Sequence, residues 1–284
     1  MTEAFGSWQL DGLLAVGGLG EIWRAHREGE VVALKRLHSH LLRNAEIRAQ
    51  FAIEQRLTTE LVRHANVVHA VEAGELSGQP YIALELAPGE DLRRQLTPPV
   101  RPASSTSATE PIAPLAEAGA PARTTAPSVV LPRARVLAIA IAACDAAAHL
   151  HDHGFVHGDI NPGNLVVSIS DHVTLIDLGI ARELGRAGAV RGTHAYMAPE
   201  QVRAEPWTAA TDVFALGVVL WELCAGARLF HRGPPWLSVA AVMEAAVPAL
   251  DAPALDAIVQ AALAKDPAQR IATARELGDR LRAL

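Results

Sequence analysis

The sequence predicts an α+β chain in two lobes: a small antiparallel sheet carrying one main helix, then a larger, mostly helical lobe. Three observations predict it. Residues 8–86 hold short apolar segments separated by turn residues, which is strand patterning. After residue 128 the chain turns to long runs rich in Ala and Leu, the pattern of helices. The length of 284 residues, half of them apolar, exceeds most single cores and falls short of two large ones.

Taken in order, Glu21–Ala25 and Val31–Leu37 flank the turn Arg27-Glu28-Gly29-Glu30 and read as a hairpin. Phe51, Glu54, Leu57 and Leu61 recur at three- and four-residue spacing, the face of a helix. Val67–Val71 and Tyr81–Leu86 read as two further strands around the turn-rich Gly74–Pro80. Residues 97–128 shift abruptly to Pro, Ala, Ser, Thr and Gly. Such a stretch buries too little surface to offset its ordering entropy, so a flexible insertion is expected there. Its hydroxyls, among them Ser104, Thr106 and Thr124, are candidate modification sites in what reads first as a solvated linker. Helices are expected over Arg133–His153, Ala209–Gly226, Trp236–Ala246, Ala254–Ala264 and Ala272–Leu284. The boundaries are a small lobe over 8–86, a connector over 85–89 and a large lobe over 90–284.

A net charge of −6 gives no electrostatic footprint for nucleic acid or an anionic membrane, and both are set aside as partners. The apolar stretches Val136–Cys144 and Val213–Trp221 are broken by Asp145 and Glu222, short of the ~18 residues a membrane span needs. Met1–Leu10 lacks the basic-then-apolar order of a signal peptide. Cys144 and Cys224 have no paired spacing and read as buried thiols of a reducing compartment, so a cytoplasmic location is expected. Among 25 basic residues only Lys35 and Lys265 are lysines. The arginine bias fits a GC-rich genome, which makes each retained lysine informative. A compact ammonium on a thin stem suits a narrow site that a planar guanidinium does not.

The chemistry gathers in a few segments. Ala15-Val16-Gly17-Gly18-Leu19-Gly20-Glu21-Ile22 lies between two strand-like segments, where glycines let backbone N–H groups approach phosphate oxygens. In Val32-Ala33-Leu34-Lys35, strand alternation sends Ala33 and Lys35 to one face. Glu54 shares a helix face with Phe51 and Leu57, so it points inward, and a buried carboxylate needs a partner such as Lys35. Gln55 and Glu60 are alternatives for that role, but the phase of Phe51 and Leu61 favours Glu54. His157-Gly158-Asp159-Ile160-Asn161-Pro162-Gly163-Asn164 precedes an apolar strand, and Val173-Thr174-Leu175-Ile176-Asp177-Leu178-Gly179 follows it. His149 and His153 share a helix face, yet no carboxylate or Cys completes a metal-binding set with them.

These segments, in this order, resemble the protein kinase family, in particular the eukaryotic-like serine/threonine kinases of bacteria. Gly192-Thr193-His194-Ala195-Tyr196-Met197-Ala198-Pro199-Glu200 resembles the family's substrate-docking segment, Asp212 and Gly217 its central helix, and Lys265-Asp266-Pro267 with Arg270 its closing motif. The matches run from Ala15 to Arg270 and imply the two-lobed kinase fold. They also imply ATP and Mg²⁺ as cofactors and protein Ser/Thr hydroxyls as substrates. By that resemblance Lys35, held by Glu54, contacts the ATP phosphates beneath the loop of Ala15, Val16, Gly17, Gly18, Gly20 and Ile22. Asp177 and Asn164 hold Mg²⁺, and Asp159 accepts the substrate proton. Ile22, Ala33 and Val166 sandwich adenine, the backbone of Glu85 and Ala87 meets its edge after the gatekeeper Leu84, and Thr193 braces the docking segment against Asp159.

Four departures stand out. Ala15 replaces the first loop glycine, and Leu178 replaces the Phe after the metal-binding Asp177, a swap of similar volume. Asn161 stands where serine/threonine kinases carry a lysine that meets the γ-phosphate, with Arg182 or Arg191 as candidate substitutes for its charge. Gly158 replaces the arginine that meets a phosphorylated activation loop, and the stretch 180–191 has no Ser, Thr or Tyr. The expectation is therefore a kinase without control by activation-loop phosphate, arranged constitutively or governed by a partner protein. A nucleotide-binding pseudokinase acting as a scaffold or regulatory adaptor is the alternative, favoured by Ala15 and Asn161. A small-molecule phosphotransferase shares the Asp159–Asn164 spacing but not the docking segment, Asp212 or Arg270.

Overall fold

The structure is a computed structural model that describes residues 3–97, 131–187 and 192–284. The insertion expected over 97–128, with its candidate hydroxyls, lies outside the described residues except for Thr97, and so does Arg191.

The small lobe is one antiparallel sheet. Its strands are β1 (Glu3–Phe5), β2 (Trp8–Val16), β3 (Gly20–Arg27), β4 (Glu30–Leu37), β5 (Ala70–Leu76) and β6 (Gln79–Glu85), in the order β1-β2-β3-β4-β6-β5. The sheet begins before residue 8, because Gly6, at φ +61°, turns β1 back onto β2. Strand alternation sorts its two faces. Trp8, Leu10, Ala25, Val32, Leu34 and Ala83 form one core, whereas Leu37, Ile82 and Leu84 pack on the other face with Phe51 of helix α1 (Ala45–Glu60). Asn44 caps α1 by accepting the Ile47 N–H at 3.1 Å.

The pair read as Val67–Val71 and Tyr81–Leu86 is shifted. The turn between β5 and β6 is only Ser77-Gly78, at φ 50° and 81°. Two left-handed residues in succession make a tight hairpin, so Gly74 falls inside β5, where an added Cβ would meet the Tyr81 ring at 3.3 Å. Glycine there marks close packing instead of a turn.

After the short β7 (Glu90–Asp91) and α2 (Leu92–Leu96), helix α3 (Arg133–Asp152) runs through the large lobe. Strands β8 (Phe155–Val156), β9 (Leu165–Val167), β10 (Val173–Leu175) and β11 (Arg182–Glu183) follow. β9 pairs with β7 and β10, and β11 pairs with β8. Helices α4 (Pro199–Val202), α5 (Ala209–Ala225), α6 (Pro235–Glu244), α7 (Pro253–Ala262) and α8 (Ala274–Arg282) complete the lobe. Helix α3 packs on α5 and α8. By length and composition it does reach the standard of a membrane span, with mean hydropathy 1.3, because its Ala-rich run carries few charges, Asp145 being the one in its middle. Half of that window is buried, with Ile139, Ala143, Ala147 and Leu150 in the large core.

The lobes are tied by backbone bonds from Val68 N to Leu175 O at 3.0 Å and from Leu175 N to Asn66 O at 2.8 Å. Lys265, the second of the two lysines, packs inside the large lobe. Its Nζ donates to Val242 O and sits 4.2 Å from the Phe230 ring centre, an ammonium wedged among aromatic rings. Burial pushes its pKa down to about 8.

Candidate active site

Lys35 leaves β4 on the face opposite Val32 and Leu34, toward the cleft between the lobes. Its Nζ donates to Glu54 Oε1 at 2.6 Å and to Asp177 Oδ1 at 2.7 Å. Of the three candidates on α1, Glu54 takes the lysine. Gln55 instead donates to Gly74 O and Tyr81 O, and Glu60 is exposed. Burial opposes the charge on Lys35, yet the adjoining Asp177 and Glu54 carboxylates outweigh it and hold its pKa above the ordinary lysine range. The Asp177 carboxyl is pulled below its usual range, chiefly by Lys35. Glu54 is pushed upward by burial, which Lys35 only partly offsets.

Asp177 adopts φ 63°, a left-handed backbone that few non-glycine residues take. This turn aims its side chain at Lys35. Oδ1 accepts from Lys35 and weakly from Gly179 N at 3.3 Å, while Oδ2 accepts nothing among the described residues. Across the cleft, Asn164 Nδ2 donates to Asp159 O at 2.9 Å and to Asp159 Oδ2 at 3.2 Å, so its Oδ1 is also unspent. A carboxylate oxygen and an amide oxygen, both uncommitted, are the hard donors that Mg²⁺ prefers, so the residues fit that ion.

Asp159 is positioned from two sides: Thr193 N donates to its Oδ1 at 2.7 Å, and Asn164 holds Oδ2. Burial pushes its carboxyl upward, and the Thr193 N–H works against that shift. Beneath it, Asp212, fully buried at the start of α5, accepts from His157 N at 2.8 Å, Gly158 N at 2.9 Å and His151 Nε2 at 2.9 Å. His157 Nε2 in turn bonds Ile176 O at 3.1 Å. The strand-loop carrying Asp159 and the one carrying Asp177 are thereby fixed to one another.

In the glycine loop, Ala15 is a strand residue paired with Ile22 and keeps negative φ, so its methyl is accommodated. Gly20 is obligatory, since a Cβ there would lie 2.2 Å from Arg36 O. Around Gly18 there is open space. Ile22 and Ala33 are half-buried, and Val166 and Leu84 are buried, Leu84 packing with Ile82 and Phe51. Glu85 turns its carboxylate away to Arg63, at 2.5 Å. A cavity of about 320 Å³ behind the connector is lined by Glu85, Ala87 and His69, and none of Lys35, Asp159 or Asp177 reaches it.

Asn161 is buried and central. Its Nδ2 donates to Asp159 O at 3.0 Å and Thr193 Oγ1 at 3.2 Å, and its Oδ1 accepts from Gly163 N and Arg93 Nη2, both at 2.9 Å. Arg182, a candidate to replace the missing lysine, is engaged elsewhere: its guanidinium stacks 3.9 Å over the Trp207 ring. That ring abuts Gly158, where an added Cβ would lie 2.3 Å from Trp207 Cζ3. Further out, Arg270 makes a buried two-pronged pair with Glu200, at 2.8 and 3.1 Å, and donates to Ala210 O at 2.7 Å. Sequence reading missed Arg93 and Trp207. One arginine among many carries no signal, and Trp207 becomes meaningful only beside the glycine it covers.

A family description of the protein kinase domain matches residues 8–279. Among curated relatives, a probable serine/threonine-protein kinase PknB of Corynebacterium glutamicum is 29% identical over 95% of this chain. The serine/threonine-protein kinases PknD of Mycobacterium tuberculosis and PknB of Mycolicibacterium smegmatis are each 32% identical, over 96% and 95% of it. The chain spans about two fifths of these relatives, 39–41% of their length. With the match running from the first strands of the sheet into α8, the chain belongs to the protein kinase domain family.

Proposed function

We propose that this chain transfers the γ-phosphoryl group of ATP to serine or threonine hydroxyls of proteins. The single observation that carries the reading is the contact of Lys35 with both Glu54 and Asp177. It joins the sheet, α1 and the Asp177 loop in one arrangement, opposite an Asp159 already oriented by Thr193 and Asn164. Such a site works by positioning and charge neutralisation. Asp159 orients the substrate hydroxyl and takes its proton as the oxygen bonds to the γ-phosphorus. The bond from that phosphorus to the β–γ bridging oxygen breaks and ADP leaves. Lys35 neutralises phosphate oxygens, while the Gly17–Gly20 loop offers backbone N–H groups. Bound through Asp177 and Asn164, Mg²⁺ supplies charge neutralisation on the phosphates. With ATP as the donor, the same proposal puts the domain in the cytoplasm, a compartment in which Cys144 and Cys224 stay reduced.

The same reading includes independence from activation-loop phosphorylation. Trp207 occupies the space a side chain at 158 would need, and its stacking with Arg182 anchors the segment. Backbone bonds from Gly185 N to Trp207 O at 2.8 Å and from Trp207 N to Arg186 O at 3.1 Å reinforce it. On this reading the segment is arranged constitutively or governed by a partner protein. The test incubates the chain with Mg-ATP and a generic basic protein, before and after treatment with a broad phosphatase. Phosphoserine or phosphothreonine on the substrate at an unchanged rate is expected; a rate abolished by phosphatase treatment would overturn the phosphate-independent part.

A further inference from the structure

We propose that Arg93, acting through Asn161, supplies the positive charge that the catalytic loop lacks at position 161, which makes Arg93 a positioning and charge-supplying residue of the transfer site. The inference rests on the kinase reading above and names a residue within that site.

Four observations carry it. First, Asn161 Oδ1 receives two donors, Gly163 N and Arg93 Nη2, each at 2.9 Å. That fixes the carboxamide so that Nδ2 points at Asp159 O and Thr193 Oγ1, the two residues that frame the substrate hydroxyl. Second, among the described residues Arg93 has no carboxylate partner; its neighbours include the Asn161 carboxamide oxygen, the Tyr196 ring at 5.9 Å and His231. Its charge is therefore not neutralised locally, in contrast to Arg94 beside it, which pairs with Asp91. Third, Arg93 Nε is buried without a hydrogen-bond partner, so donor capacity remains. Fourth, Gly163 leaves the carboxamide its place: a Cβ there would press on Asn161 Oδ1 at 3.1 Å, the oxygen that accepts from Arg93.

The pair divides a lysine's work. Asn161 makes the short-range hydrogen bonds to the Asp159 and Thr193 side, and Arg93 polarises the carboxamide and adds a full charge behind it. A guanidinium, always protonated and with a planar fork of donors, suits an approach from α2. Its benefit to the transition state is electrostatic, because charge spreads over the γ-phosphoryl oxygens as the bond breaks.

The experiment compares the wild type, Arg93→Gln, Arg93→Lys, Asn161→Lys and the double variant Arg93→Gln/Asn161→Lys, all as the full chain and checked for equal melting temperature. It reads kcat, peptide KM, and the ratio of ATP to ADP affinity with Mg²⁺ by calorimetry. Arg93→Gln is expected to lower kcat at least tenfold, within the ~10²–10³ scale for loss of a preorganised donor, with peptide KM little changed. It also lowers the preference for ATP over ADP, and Arg93→Lys restores part of both. In the Asn161→Lys background the same Gln substitution costs less than about threefold, because the loop then carries its own charge. An equal loss in both backgrounds would show a structural role, a change confined to peptide KM would show a substrate contact, and either overturns the proposal. Should the wild type bind ATP yet transfer nothing, the kinase reading fails while the affinity ratio still decides Arg93.

Discussion

Lys35 Nζ lies 2.6 Å from Glu54 Oε1, a bond between two side chains that are almost fully buried. It joins the sheet to α1, and through Asp177 it reaches the large lobe. Lys35→Met removes this bridge, so phosphoryl transfer should fall to background. The substitution also leaves Glu54 buried and unpaired, at a cost of about 3 kcal/mol near neutral pH. In the variant the Glu54 carboxyl rises further, and a carboxyl raised in the folded state favours folding below its unfolded pKa and loses that contribution as pH rises. The stability deficit should therefore shrink as pH falls from 8 toward 5, checked by urea midpoints across that range.

Gly158 couples backbone and packing. Its φ of +79° suits glycine, and a methyl group there would sit 2.3 Å from the Trp207 ring. Gly158→Ala should cost about 2 kcal/mol, read as a lowered melting temperature. The released Trp207 should also free the activation segment, visible as faster amide exchange over 182–186.

Arg270 and Glu200 form a pair with almost no solvent contact. Arg270→Met leaves Glu200 and the Ala210 carbonyl without their donor and should destabilise by about 3–5 kcal/mol in denaturant titration. Arg270→Lys should rescue little of it, because one ammonium cannot reproduce the two-pronged contact.

The Asp159 carboxyl is raised by burial, and in the proposed transfer it must be ionised to accept the hydroxyl proton. The acid limb of kcat/KM should thus lie above the ordinary aspartate value of about 3.9, with activity lost as pH falls through the raised pKa. A pH–rate profile on a substrate that does not itself titrate there measures it.

Much of this architecture was legible in the residues, for a physical reason in each case. The phase of Phe51 and Leu57 turned Glu54 inward because a helix face repeats every three to four residues, and alternation turned Lys35 toward the cleft. The spacing of Asp159, Asn164 and Asp177 survived into three-dimensional proximity because a short 3₁₀ turn and the β9–β10 hairpin connect them. Other features were illegible because they depend on contacts between distant segments. Gly74 looked like a turn until Tyr81 was seen against it, and Asn161 looked like a plain loss of charge until Arg93 appeared 2.9 Å away. Lys265 gained its meaning only from Phe214 and Phe230, which lie outside its own motif.

The most direct test of phosphoryl transfer is intact-mass measurement of a purified basic protein substrate after incubation with this chain and Mg-ATP, run beside Lys35→Met and Asp159→Asn. Phosphate added by the wild type and by neither variant is the predicted result. Tight ATP binding by the wild type with no phosphate added would contradict the kinase reading and make the domain a nucleotide-binding scaffold.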